Sequence, residues 1–128
     1  MSWANRAVAK LAMRHTRVRG RARATPTRGY RSKLEADYAD ELERERLAGE
    51  IVSWEYERLK LRLADGTWYT PDFWVTALSG EFEIRETKGH KFQAGMIKLK
   101  VAASLYPCFT FILVERAGRA FQQTEIDV

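Results

Sequence analysis

Asp72, Glu86 and Lys88 are the residues of this 128-residue chain whose types and spacing point most directly to chemistry. They lie in Tyr69-Thr70-Pro71-Asp72-Phe73 and in Phe82-Glu83-Ile84-Arg85-Glu86-Thr87-Lys88. In an extended strand alternate residues share a face, so Phe82, Ile84, Glu86 and Lys88 point the same way. Two bulky apolar residues direct that face to a core, yet it ends in a carboxylate and an ammonium. Burying unpaired charge is costly, so this end of the strand should border something that needs charge. Ala77-Leu78-Ser79-Gly80 reads as the turn of a hairpin whose arms are roughly residues 68–76 and 81–88. Pairing centred on Ser79 sets Thr76 opposite Phe82, Trp74 opposite Ile84 and Asp72 opposite Glu86. Opposed residues have Cβ atoms roughly 4.5–5.5 Å apart, where like charges repel. Two carboxylates placed so either hold a cation or share a proton. The competing reading is a pair of solvated surface acids, and a one-residue slip in register would produce it.

A carboxylate pair beside a lysine suits phosphodiester hydrolysis. Water attacks in line, and negative charge grows on the phosphoryl and leaving oxygens. Divalent ions stabilise that charge and lower the pKa of the attacking water. Mg²⁺ takes a few carboxylates and keeps several waters, which leaves positions for phosphate. Asp72, Glu86 and the carbonyl of Thr87 could supply the protein ligands. Lys88 lies on the strand face of Glu86, roughly 6.6–6.8 Å further on. Its ammonium could orient the nucleophilic water or neutralise the developing charge.

Several elements must position these groups. A helix is expected over Ser32–Ala48, where Leu34, Tyr38 and Leu42 recur every fourth residue and Gly49 supplies the stop. Strands are expected at Ile51–Tyr56, Arg58–Leu63, Trp68–Thr76 and Glu81–Lys88, with Asp65-Gly66 as a tight turn between the second and third. Pro71 sits early in the third strand, where only an edge, a bulge or the start of pairing tolerates it. A second helix, Phe92–Leu105, carries Phe92, Met96, Leu99 and Ala103 on one stripe, and a buried strand, Cys108–Val114, follows Pro107. Residues 115–128 are weakly patterned. The order α-β-β-β-β-α-β gives an α/β or α+β class with a mixed sheet.

The composition bounds the rest. A chain of 128 residues, 45% hydrophobic and 30% charged, is one ordinary globular domain able to bury a core. No apolar run approaches the length that spans a membrane. The lone cysteine, Cys108, allows neither an internal disulfide nor a cysteine-based zinc cage, and it reads as a buried thiol in an intracellular protein. Charge is uneven: residues 1–30 hold eight Lys and Arg and no acid, while residues 31–128 hold 14 bases against 17 acids. Residues 1–30 therefore read as a flexible basic arm that contacts a polyanion, with a helix at 3–15 and an Arg-rich linker at Thr16–Gly29. An inert tail and an organelle transit peptide are the other readings of that arm.

Pro71-Asp72 followed by Glu86-Thr87-Lys88 resembles the signature of the PD-(D/E)xK nuclease superfamily. The likeness covers roughly residues 30–114: a leading helix with Ser32-Lys33-Leu34-Glu35, strands carrying the motif, then a helix and a strand. Within the superfamily the chain looks most like small phage endonucleases related to Holliday-junction resolvases, on Ser32–Ala36 to Ala48-Gly49-Glu50-Ile51 and Lys88-Gly89 to Leu105-Tyr106-Pro107. Tyr69–Phe73 also resembles the motif of transposase-associated endonuclease domains. The resemblance implies a restriction-endonuclease-like core in residues 31–128: a mixed central sheet flanked by helices. It implies Mg²⁺ as cofactor with Mn²⁺ as a substitute, DNA as partner (branched DNA included), a homodimer, and the host cytoplasm if the chain is phage-encoded. It makes Asp72, Glu86 and Lys88 catalytic and Glu35 the helix-borne acid that completes the metal site. Ser32-x-x-Glu35 is equally a capping box, which needs no function.

Arg28, Arg31 and Lys33, which lead from the arm into the helix, are candidates for backbone phosphate, with Arg17, Arg19, Arg21 and Arg23 in the arm itself. Lys91, Lys98 and Lys100 are candidates on the second helix, with a solubilising role as the alternative. His90 reads as a bystander. Trp68 and Trp74 read as core, Asp37, Asp40, Glu41, Glu43 and Glu45 as a solvated face, and Glu81 and Glu83 as facing solvent or basic partners. The leading function is a metal-dependent endonuclease acting on DNA. A non-catalytic DNA-binding module on the same fold and an RNA nuclease are the alternatives.

Overall fold

Ser32 opens the first helix of the structure, a computed structural model that describes residues 27–89 and 93–128. Its hydroxyl accepts from the Glu35 amide at 3.1 Å, satisfying a donor that no helical carbonyl reaches. Helix α1 (Lys33–Leu47) buries Tyr38, Ala39 and Leu42. It ends at Gly49, whose φ of 76° is the left-handed conformation that a Cβ disfavours. There the Gly49 amide reaches the Arg46 carbonyl and the Glu50 amide reaches that of Glu45, a Schellman closure. The expected helix is present, one residue shorter at each end.

Five strands follow: β1 (Ile51–Tyr56), β2 (Leu61–Ala64), β3 (Thr67–Tyr69), β4 (Phe73–Ala77) and β5 (Phe82–Thr87). Helix α2 (Gln93–Leu105) then leads to β6 (Phe109–Ala117) and β7 (Ala120–Glu125). The main sheet has the order β1-β4-β5-β6-β7, and β2 and β3 form a separate hairpin. β5 and β6 run parallel and the other neighbours antiparallel, with α2 as the crossover between the parallel pair. The class is therefore α+β, with a mixed five-stranded sheet flanked by helices.

The central strands are covered on both sides, and β4 and β6 accordingly carry mostly apolar residues. Phe73, Val75, Ile112 and Val114 pack with Tyr38 and Leu42 of α1. Ile84, Phe111 and Leu113 pack with Leu99, Ala102 and Ala103 of α2, joined by Leu59, Leu61 and Tyr69 from the side of the small hairpin. Arg85 is the exception, a buried cation on β5. It donates to the Tyr38 hydroxyl at 2.9 Å, to Glu83 at 2.7 Å and to Glu45 at 3.4 Å, which offsets its desolvation.

The element order differs from the expected α-β-β-β-β-α-β in two places, giving α-β-β-β-β-β-α-β-β among the described residues. Pro71 has no N–H and a fixed φ, and the strand expected over Trp68–Thr76 breaks there into β3 and β4, which belong to different sheets. Trp68 and Trp74 therefore do not alternate on one strand. Trp74 packs on Phe82 at 4.9 Å, and Trp68 lies under the Lys60 ammonium in the small hairpin. At the other end, residues 115–128 hold the end of β6 and all of β7. β7 is an edge strand in which Phe121 is the partly buried apolar side chain, so little periodicity is left to read. The second strand starts at Leu61 instead of Arg58, because Glu57 takes a φ of 48° and turns the chain. Cys108 is half-buried at the foot of β6, less enclosed than its apolar neighbours suggested.

Candidate active site

The register of β4 and β5 is the expected one, with Thr76 opposite Phe82 and Trp74 opposite Ile84. Asp72 lies one residue before β4 and still meets β5. Its amide donates to Glu86 Oε1 at 2.7 Å, and the amide and hydroxyl of Thr87 donate to Asp72 Oδ2 at 2.9 and 2.7 Å. The Tyr69 hydroxyl donates to Glu86 Oε2 at 2.6 Å. Burial, then the charge of Glu35, pushes Asp72 above the ordinary carboxylate range. Burial, then Asp72, pushes Glu86 well above it. Each acid thus has fixed donors and a neighbour that opposes its ionisation.

Glu35 sits at the capped start of α1 without closing a capping box. Its amide is capped by Ser32, while its carboxylate turns back over the helix start and accepts from the Arg31 amide at 3.0 Å and the Tyr56 hydroxyl at 2.6 Å. A capping box would send that carboxylate to the cap residue's own amide; here it takes the preceding one. Glu35 lines the same cleft as Asp72, Glu86, Thr87 and Lys88, a groove of about 910 Å³ also walled by Lys33, Glu115 and Arg116. The Lys88 ammonium lies 3.5 Å from Glu115 and is half-exposed.

A short chain of contacts joins the two sides of the cleft. The Glu57 amide donates to the Asp72 carbonyl at 2.8 Å, and the buried Glu57 carboxylate pairs with Arg31 at 2.8 Å. Arg31 in turn gives its amide to Glu35 and to the Tyr56 hydroxyl. The left-handed backbone of Glu57 is the strained element that lets one residue serve both carboxylate-bearing segments.

The other candidates fall into three groups. Lys33 is at the cleft and pairs with Asp37, whereas Arg28 pairs with Asp40 and Arg31 with Glu57. Lys98 donates to the Trp68 carbonyl at 3.0 Å, and Lys100 is exposed; neither lines the cleft. Arg17, Arg19, Arg21, Arg23, His90 and Lys91 lie outside the described residues. All five acids assigned to a solvated face make ion pairs: Glu45 is buried on Arg85, Asp37 binds Arg116 and Lys33, and Asp40, Glu41 and Glu43 pair with Arg28, Arg44 and Arg46. Sequence reasoning did not assign Tyr56, Tyr69, Glu115 or Arg116. Tyr69 stands inside the very segment that carries Asp72, and its spacing of three residues from it was the available signal.

The donor set suits a hard cation. Among the described residues it consists of carboxylate oxygens, without thiolate or imidazole. Among the described residues no three acidic, histidine or cysteine side chains, Glu35 with Asp72 and Glu86 included, are grouped so as to hold a metal ion together. A two-carboxylate site completed by water fits Mg²⁺ better than a metal needing an all-protein cage. No family model, no curated protein and no solved structure matches the chain.

Proposed function

We propose that this protein is a Mg²⁺-dependent endonuclease that hydrolyses DNA phosphodiester bonds on a restriction-endonuclease-like core, with Mn²⁺ able to substitute. The observation that carries this reading is the buried pair Asp72 and Glu86 at one end of β4 and β5, both pushed above the ordinary carboxylate range by burial, with Lys88 and Glu35 on the same cleft. A structural role alone would favour apolar residues at so buried a place. Asp72, Glu86 and the Thr87 carbonyl hold the cation, and Glu35 contributes to it directly or through water. The bound ion offsets charge on the phosphoryl oxygens and lowers the pKa of water. Tyr69 and Thr87 fix the two carboxylates, and Lys88 offers its ammonium to the phosphoryl group once released from Glu115. Branched DNA is the proposed substrate, and two copies of the chain would cut its two strands.

A second reading has its own support. All the carboxylate oxygens named above as acceptors are held by protein donors, as they would be in a non-catalytic nucleic-acid-binding module. Cleavage of matched duplex, single-strand, flap and four-way-junction DNA separates the two. It would be run in Mg²⁺, Mn²⁺ and chelator, with matched RNA alongside. The nuclease reading expects metal-dependent cutting that vanishes in Asp72→Asn/Glu86→Gln. Binding without cutting on every substrate selects the module, and cutting of RNA alone makes the enzyme a ribonuclease.

A further inference from the structure

Two cations at the cleft converge on one oxygen. Lys33 Nζ lies 3.0 Å from Asp37 Oδ2, and Arg116 Nη2 lies 2.5 Å from the same atom. Arg116 and Asp37 are 79 residues apart in sequence, so the fold and not helix spacing brings them together. Both Lys33 and Arg116 line the groove that holds Asp72 and Glu86. Arg116 is held a second way, its guanidinium 5.0 Å from the centre of the Phe121 ring, which itself packs edge-on against Tyr38. The two side chains remain 83% and 40% exposed at the rim, Lys33 the more open.

One carboxylate facing two cations leaves net positive charge. An arginine carries five N–H donors and a lysine three, more than one aspartate can accept. The remaining donors suit a second oxyanion, and a phosphate diester presents one with the bidentate geometry that a guanidinium favours. Building on the nuclease reading, we infer that Lys33 and Arg116 form a clamp for one backbone phosphate of the bound nucleic acid, with Asp37 as the strut that preorganises them. The clamped phosphate is taken as distinct from the one being cut, which is assigned to Lys88, two residues beyond Glu86 at the end of β5. The competing explanation is an ion triad that ties α1 to β6 and binds nothing. Such a triad would change melting on mutation but not the salt dependence of binding.

The test is binding of labelled duplex and four-way-junction DNA to full-length Asp72→Asn protein, measured across a salt titration. Removing the clamp with Lys33→Ala/Arg116→Ala should lower the slope of log affinity against log salt by about 0.9, the release from one phosphate. Arg62→Ala/Arg119→Ala removes the same charge at exposed positions outside the cleft and should leave the slope unchanged. Arg116→Gln keeps much of the packing on Phe121 and should shift the slope in the same direction, which guards against a double variant that does not fold. Binding by the parent with equal slopes in both double variants would overturn the clamp and leave the nuclease reading intact. A parent that binds no nucleic acid, from a wild type that cuts none, would overturn both.

Discussion

Asp72 and Glu86 carry a cost that shows in stability. Their folded-state pKa values lie above the unfolded ones, so the folded protein binds more protons in the interval between. Stability from these groups is therefore greatest below the ordinary carboxylate range and falls as pH rises through the raised values. A tenfold gain in proton affinity on folding corresponds to roughly 1.4 kcal/mol. Asp72→Asn keeps an oxygen for Thr87 and removes the charge, so in chelator it should melt higher than wild type at neutral pH and flatten the decline of melting temperature from acid to neutral pH. Equal pH profiles for the two proteins would show that Asp72 is not strained by burial. Tyr69 supplies a different kind of support. Tyr69→Phe deletes the donor to Glu86 Oε2 without changing shape, and ligand-orienting bonds of this kind are worth about 10–100-fold in metal affinity or activity. Cleavage rate against Mg²⁺ concentration should shift to higher metal by that order, and an unshifted curve would make the bond incidental. The acid pair was legible from sequence because both residues sit on one hairpin with a short turn. Tyr56 with Glu35, 21 residues apart, and Arg116 with Asp37 were not, because no local period relates residues on separate elements.

Elements hold these residues by packing and by their ends. Leu42 is fully buried between α1 and the sheet, so Leu42→Ala should cost about 2–5 kcal/mol in urea unfolding. A loss under about 1 kcal/mol would mean that α1 contributes little to the core. Helix α1, β1, α2 and the β4–β5 hairpin are legible in the sequence because periodicity, a capping serine, Gly49 and a turn agree. The break at Pro71 is half legible: a proline signals an interruption, but whether it starts, bends or ends a strand depends on which sheet each half joins. β7 is illegible since its side chains are mostly exposed and its pairing partner, β6, supplies the backbone bonds. The burial of Arg85 is hidden for a related reason: its partners Tyr38 and Glu45 come from α1, 47 and 40 residues away.

At the scale of the whole molecule, charge is divided between a basic amino-terminal segment and a body with slightly more acids than bases. The described body starts with Thr27–Tyr30, a turn whose Tyr30 ring packs on Tyr56 at 4.6 Å, so a truncation for testing should stop short of it. Removing residues 1–26 should weaken DNA affinity and reduce its salt slope by about 0.9 for each phosphate that the segment contacts. An unchanged slope would make the segment a tail or a targeting peptide. Whether the carboxylate pair is a cation site decides everything proposed for the cleft, and melting in a Mg²⁺ titration tests this most directly. A ligand that binds the folded state alone raises its stability in proportion to the logarithm of concentration once above its Kd. Wild type should gain melting temperature steadily with added Mg²⁺, while Asp72→Asn/Glu86→Gln should start higher in chelator and not respond. A wild-type protein indifferent to Mg²⁺ and Mn²⁺, or a variant that responds equally, would contradict the assignment of a cation to Asp72 and Glu86.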